Sequence, residues 1–117
     1  MQIGQISMRA LDIDRATTFY RDVLGLPHLF RAGQLSFFDC GGIRLMLSLP
    51  EPGFDHPGSV LYFKVEDIEA RHRELTASGV EFINEPHLIA RMPDHELWMA
   101  FFKDTEGNTL ALMCEKR

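Results

Sequence analysis

Several residues have types that could do chemistry. Asp94-His95-Glu96 puts two carboxylates and an imidazole side by side, which at first suggests a metal cluster. In an extended segment Asp94 and Glu96 point one way and His95 the other, so three ligands cannot converge. A solvated turn fits better, leaving His95 and Glu96 as candidate general acid or base residues over a cleft. Arg9, Arg44 and Lys64 offer cationic contacts, and the planar fork of arginine suits a carboxylate or phosphate. Tyr62, Trp98, Met46 and Met113 could line a site for a flat apolar ligand, or equally fill a dimer interface. Gln5 and Ser7 add polar groups beside them. Cys40 adjoins Gly41-Gly42 with no local base to activate its thiol. Asp12 and Asp67 each precede an apolar-periodic run, so N-capping explains them better than catalysis does. His72 falls on the packing side of its predicted helix, as a histidine at the edge of a core.

Composition limits what these residues can serve. The chain has 117 residues, 45% hydrophobic and 25% charged, which is one ordinary globular domain. A formal charge of −5 without a basic stripe argues against nucleic acid as a partner. Cys40 and Cys114 stand far apart and form no disulfide framework. The N-terminus lacks the pattern of a secretory signal, and no apolar stretch approaches a membrane span. A cytoplasmic protein without membrane contact is the expectation.

The elements that must position these groups repeat. A strand at 2–9 and a helix at 13–24 come first, the helix closed by Gly25. Short strands near 28–32 and 35–39 and a longer one at 42–49 follow. The second half reads as a strand at 59–65, a helix from Asp67 to about Ser78, short strands near 80–83 and 86–91, and long strands at 96–103 and 108–114. With an offset of 55, Gln5–Asp14 lies on Val60–Glu69; with an offset of 65, Gly42–Leu47 lies on Gly107–Leu112. The offset of 65 also sets Phe37 on Phe102 and Asp39 on Asp104. This is a duplicated βαβββ unit. The expectation is an α+β domain over 1–117, with module 1 at 1–50, a Pro/Gly-rich linker at 51–58 and module 2 at 59–117. Strand alternation puts Ile6/Met8, Leu45/Leu47, Leu61/Phe63 and Leu110/Leu112 under the helices. The opposite face carries Gln5/Ser7/Arg9, Arg44/Met46/Ser48, Val60/Tyr62/Lys64 and Thr109/Ala111/Met113. That mixture is too polar for a core and too apolar for plain surface, as in the lining of a ligand cleft.

Asp12-Ile13-Asp14-Arg15-Ala16 with Phe19-Tyr20-Arg21-Asp22-Val23-Leu24-Gly25, Asp67-Ile68-Glu69 with Gly79-Val80, and Phe102-Lys103-Asp104-Thr105-Glu106-Gly107-Asn108 together resemble the vicinal-oxygen-chelate superfamily. Its members include glyoxalase I, bleomycin-resistance proteins and extradiol dioxygenases. The resemblance spans nearly the whole chain, with Thr105 replacing the proline usual in the closing turn. It implies two βαβββ modules forming a curved, cleft-enclosing mixed sheet, and homodimers. It also implies a divalent metal held by four strand positions, which fall here on Gln5, Met46, Val60 and Ala111. Valine and alanine cannot ligate, and a thioether suits only soft ions, so no metal cofactor is expected. Gln5 followed by Arg9 repeats a glyoxalase I pair in which the arginine contacts a glutathione carboxylate. Two functions follow. One is a metal-free protein binding an anionic or aromatic organic compound through Gln5, Ser7, Arg9, Arg44, Met46, Tyr62, Trp98 and Met113. The other is a glyoxalase-like lyase or isomerase with a non-standard metal site, Gln5 or Arg44 polarising a carbonyl and His95 or Glu96 acting as base. A regulatory or interaction protein reusing the scaffold is a third.

Overall fold

The computed structural model describes residues 1–53 and 58–117. Part of the expected linker, 54–57, lies outside the described residues. The chain divides into two compact units, Met1–Ser59 and Val60–Arg117. Each carries one βαβββ module, giving an α+β fold.

In the first unit β1 (Gln5–Arg9), α1 (Ile13–Thr18), β2 (His28–Ala32), β3 (Leu35–Cys40) and β4 (Ile43–Ser48) follow in sequence. The sheet order is β1-β4-β3-β2, with β1 parallel to β4 and the other pairs antiparallel. The strand expected from residue 2 starts only at Gln5, because its partner β4 meets it in register from Arg44 onward. Asp12 caps α1 as expected, its carboxylate accepting the Arg15 N–H at 3.1 Å. The helix expected through residue 24 changes pitch instead. A π-helical turn covers Phe19–Val23, closed by the Leu24 N–H on the Phe19 carbonyl at 3.0 Å. The wider turn lets the adjacent Phe19 and Tyr20 both face inward, and Tyr20 packs on Phe38 at 5.9 Å between ring centroids. Met8, Leu45, Leu47 and Phe38 complete this core.

A polar chain crosses the same core. The Thr17 hydroxyl reaches the Ile13 carbonyl at 2.6 Å and Ser36 Oγ at 2.9 Å, and His28 Nε2 lies 3.0 Å from Ser36 Oγ. A carbonyl only accepts, so Thr17 donates to Ile13, Ser36 donates to Thr17, and His28 must carry its proton on Nε2. The buried hydroxyls of Thr17 and Ser36 are thereby satisfied.

In the second unit β5 (Leu61–Lys64), α2 (Ile68–Ala77), β6 (His87–Arg91), β7 (Glu96–Lys103) and β8 (Thr109–Lys116) repeat the plan, with sheet order β5-β8-β7-β6. Asp67 caps α2 through the Ala70 N–H at 3.0 Å, and Gly79 ends it at φ +93°. The strand expected at 80–83 is reduced to a single bridge between Phe82 and Phe102. The His72 ring lies 4.3 Å from the Phe82 ring, half-buried beside the core formed by Ile68, Leu75, Phe102, Leu110 and Leu112.

The repeat needs one correction. Leu45 and Leu110 correspond, and their partners across the hairpin are Phe38 and Phe102. Phe102 is therefore the mate of Phe38, not of Phe37, and the offset of 65 falls by one in the preceding strand. The cause lies in the turns. Between the paired Asp39 and Arg44 the chain runs through Cys40-Gly41-Gly42-Ile43, whereas between the corresponding Lys103 and Thr109 it runs through Asp104-Thr105-Glu106-Gly107-Asn108. Gly41 and Gly42, at φ +65° and +92°, make the tight two-residue hairpin of module 1. Module 2 has one residue more.

Candidate functional site

Register places Gln5, Ser7 and Arg9 directly beside Arg44, Met46 and Ser48. On the next strand Phe37 faces Met46 and Asp39 faces Arg44. This is the face opposite α1, and it holds a connected set of contacts. Gln5 Oε1 accepts from Arg44 Nε at 2.7 Å, and Gln5 Nε2 points at the Met46 sulfur at 3.7 Å. The Arg44 guanidinium carbon lies 5.1 Å from the Phe37 ring centroid. Phe30 of β2 stacks on Phe37 at 4.5 Å. The structure thus brings Gln5, Arg44 and Met46 together and adds Phe37 and Phe30, which the sequence reading missed. The alternation Leu35, Phe37, Asp39 carried the signal, but only once β3 is set in register against β4.

The donor set does not fit the metal that the resemblance implies. The one oxygen at the four expected positions, Gln5 Oε1, is already the acceptor for a guanidinium at 2.7 Å. A divalent cation there would compete with a fixed positive charge. Met46 offers a thioether, and Val60 and Ala111 offer no donor. Among the described residues no group of three or more His, Cys, Asp or Glu side chains could hold a metal ion.

In the second sheet Tyr62 registers with Ala111 and Lys64 with Met113. Phe101 and Met99 of β7 lie on the same face, opposite Ala111 and Met113. Tyr62 is exposed and meets Phe101 edge-on at 5.9 Å. Lys64 Nζ is 3.5 Å from Glu115. Trp98 is not part of this lining. It registers with Cys114, so its side chain lies on the helix-side face with Ala100 and Phe102. There Lys116 Nζ sits 4.1 Å from the indole centroid and also pairs with Glu69 of α2.

His95 and Glu96 are engaged elsewhere. His95 Nδ1 contacts Asp94 Oδ1 at 2.7 Å, and Asp94 also accepts from Arg117 at 2.8 Å. Glu96 accepts the Trp98 indole N–H at 3.1 Å and the Arg91 Nε–H at 3.3 Å. An open hollow of about 390 Å³ adjoins them, with Met92, Asp94, His95 and Glu96 in its wall. The Trp98 hydrogen bond, then Arg91, hold the Glu96 carboxyl below the usual glutamate range. A carboxylate so stabilised is a weak proton acceptor. Because the folded value is lowered, the indole–carboxylate bond persists as pH falls through the ordinary range and breaks only below it. The chain has one tryptophan, so its fluorescence reports this directly. We expect a step in Trp98 emission at a pH below the ordinary glutamate value, absent in Glu96→Gln. A step at or above that value contradicts the assignment.

Two βαβββ modules with these capping and turn motifs define the class. The sequence matches the Glyoxalase/Bleomycin resistance protein/Dioxygenase superfamily over residues 2–112, and the chain belongs to that superfamily. Among its relatives is the uncharacterised protein YraH of Bacillus subtilis, 27% identical across 96% of this chain and 97% of its own length. The crystal structure of lactoylglutathione lyase from Agrobacterium tumefaciens is similar at a TM-score of 0.75 and 26% identity, covering 97% of this chain and 92% of that one. A superfamily member from Sphaerobacter thermophilus shares the fold at a TM-score of 0.77 and 22% identity, with 98% of each chain covered. No helix among the described residues is long and apolar enough to cross a membrane.

Proposed function

We propose that this chain is a metal-free member of its superfamily that binds a small anionic or aromatic organic compound on the sheet faces opposite its helices. The observation that carries this is the Arg44 Nε–H···Oε1 Gln5 bond of 2.7 Å, which puts a cation where the family's metal would be ligated. Arg44 and Arg9 supply positive charge, Ser7 a hydroxyl, and Met46, Met113 and Tyr62 apolar contact. Trp98 serves its own module's packing instead. By resemblance the protein works as a homodimer, and the lack of a disulfide framework supports a cytoplasmic setting.

The likeness to the Agrobacterium lactoylglutathione lyase favours a second function, a glyoxalase-like lyase or isomerase with a non-standard metal site. That chemistry needs a base near the carbonyl carbon, and Glu96, with its lowered pKa, serves poorly. Elemental analysis separates the two. Protein purified without a metal-affinity tag and dialysed is expected to retain no stoichiometric zinc, nickel, manganese or iron. One equivalent of any of these overturns the metal-free proposal. In the same preparation, compounds found by thermal shift should bind more weakly to Tyr62→Ala or Arg9→Ala.

A further inference from the structure

We infer that Arg44 is a preorganised anion anchor standing in for the missing metal, and that the first module's open face takes a monoanionic planar carboxylate at its Nη1/Nη2 edge. This rests on the binding function proposed above and names its ligand class. Three observations carry it.

First, the guanidinium is held on two sides. Gln5 Oε1 fixes Nε at 2.7 Å and the Phe37 ring supports the plane at 5.1 Å. An arginine immobilised before its ligand arrives loses less side-chain freedom on binding. Second, its charge is not neutralised. Asp39 is its register partner, yet the Asp39 carboxylate turns into the hairpin and accepts the Gly42 N–H at 3.0 Å. Among the described residues Arg44 forms no ion pair and its Nη atoms have no hydrogen-bond partner, whereas Arg31, Arg91 and Arg117 are each matched to a carboxylate. Third, the geometry discriminates among anions. With Nε occupied, the remaining edge presents two parallel N–H groups, which fit the two oxygens of one carboxylate. The nearby Asp39 charge opposes a dianion, so a phosphate fits less well. Half-buried Met46, beside Gln5, offers a soft apolar wall for the body of the ligand.

The test follows the arginine Nε–Hε and glutamine side-chain amide resonances by heteronuclear NMR while naphthoate is titrated into the full chain. Naphthamide, of the same shape without the charge, and inorganic phosphate serve as comparisons. We expect saturable shifts at Arg44 and Gln5 with naphthoate, and binding of naphthamide and phosphate at least about tenfold weaker. Arg44→Gln should reduce naphthoate affinity to the level of naphthamide. Arg44→Lys, which keeps the charge but not the fork, should restore only part. Equal binding of naphthoate and naphthamide, unchanged affinity in Arg44→Gln, tighter phosphate binding, or shifts confined to other residues each overturn the inference. Its failure is distinct from failure of the broader function: a metal-free protein whose ligands depend on Tyr62 and not on Arg44 keeps the latter and loses the former.

Discussion

Truncating Phe38 to alanine is expected to cost about 3–5 kcal/mol of folding free energy. Phe38 is fully buried, with ring centroids of Tyr20 and His28 at 5.9 and 4.9 Å, and it registers with buried Leu45. Removing the ring returns its transfer energy to water and leaves a cavity under the π-helical turn. Tyr20 and Leu45 belong to rigid elements and cannot collapse into that space. A small domain has roughly 5–15 kcal/mol in total, so the variant should sit close to its threshold. Urea denaturation followed by hydrogen exchange of the β3 and β4 amides measures the loss within the first unit. Phe30→Ala is the control: that ring is 45% exposed and stacks on Phe37 across the other face, so about 1 kcal/mol or less is expected. A Phe38→Ala loss no larger than that of Phe30→Ala would sink the packing argument.

Asp104→Ala should come next, at about 3 kcal/mol. The Asp104 carboxylate is buried and organises the whole closing turn. Its Oδ1 accepts the Glu106 and Asn108 N–H groups, both at 2.8 Å, and its Oδ2 accepts Asn108 Nδ2 at 2.8 Å. Alanine leaves those donors buried without an acceptor, and the full desolvation cost of each then counts. Asp104→Asn keeps one oxygen but sets an amide N–H against an amide N–H, so its loss should be intermediate. Hydrogen exchange gives a local readout: the amides of Glu106 and Asn108 should lose protection while the β1–β4 pairing keeps its own. Retained protection at both amides with a loss under about 1 kcal/mol would show that the turn's backbone holds itself.

Much of this protein is legible in its sequence. The duplication, the two aspartate caps, the apolar positions under the helices and the absence of a ligating atom in the Val60 and Ala111 side chains all follow from local rules. Strand alternation and helix capping depend on neighbours along the chain, and those are written in order. What the sequence could not supply was the phase of one strand against another. Sliding Phe37 onto Phe102 assumed hairpins of equal length, and the extra residue in the Asp104–Asn108 turn breaks that assumption. A slip of one residue exchanges the two faces of a strand. With β7 set against β3 through Phe38 and Phe102, Trp98 falls on the helix side, where Lys116 and Glu69 meet it.

The opposite face changed for the same reason. Gln5, Arg44 and Met46 were visible as types, and the sequence by itself determined that the family's four usual positions carry Gln5, Met46, Val60 and Ala111, a donor set ill suited to a hard divalent ion. Only the tertiary structure decided what they make instead. The parallel register of β1 on β4 brings the Gln5 amide to the Arg44 guanidinium, and the antiparallel register of β3 slides Phe37 beneath it. Those residues are far apart in the chain. Pairing them is a long-range choice, set by turn length and by which face the core must bury, so composition and spacing alone leave it open.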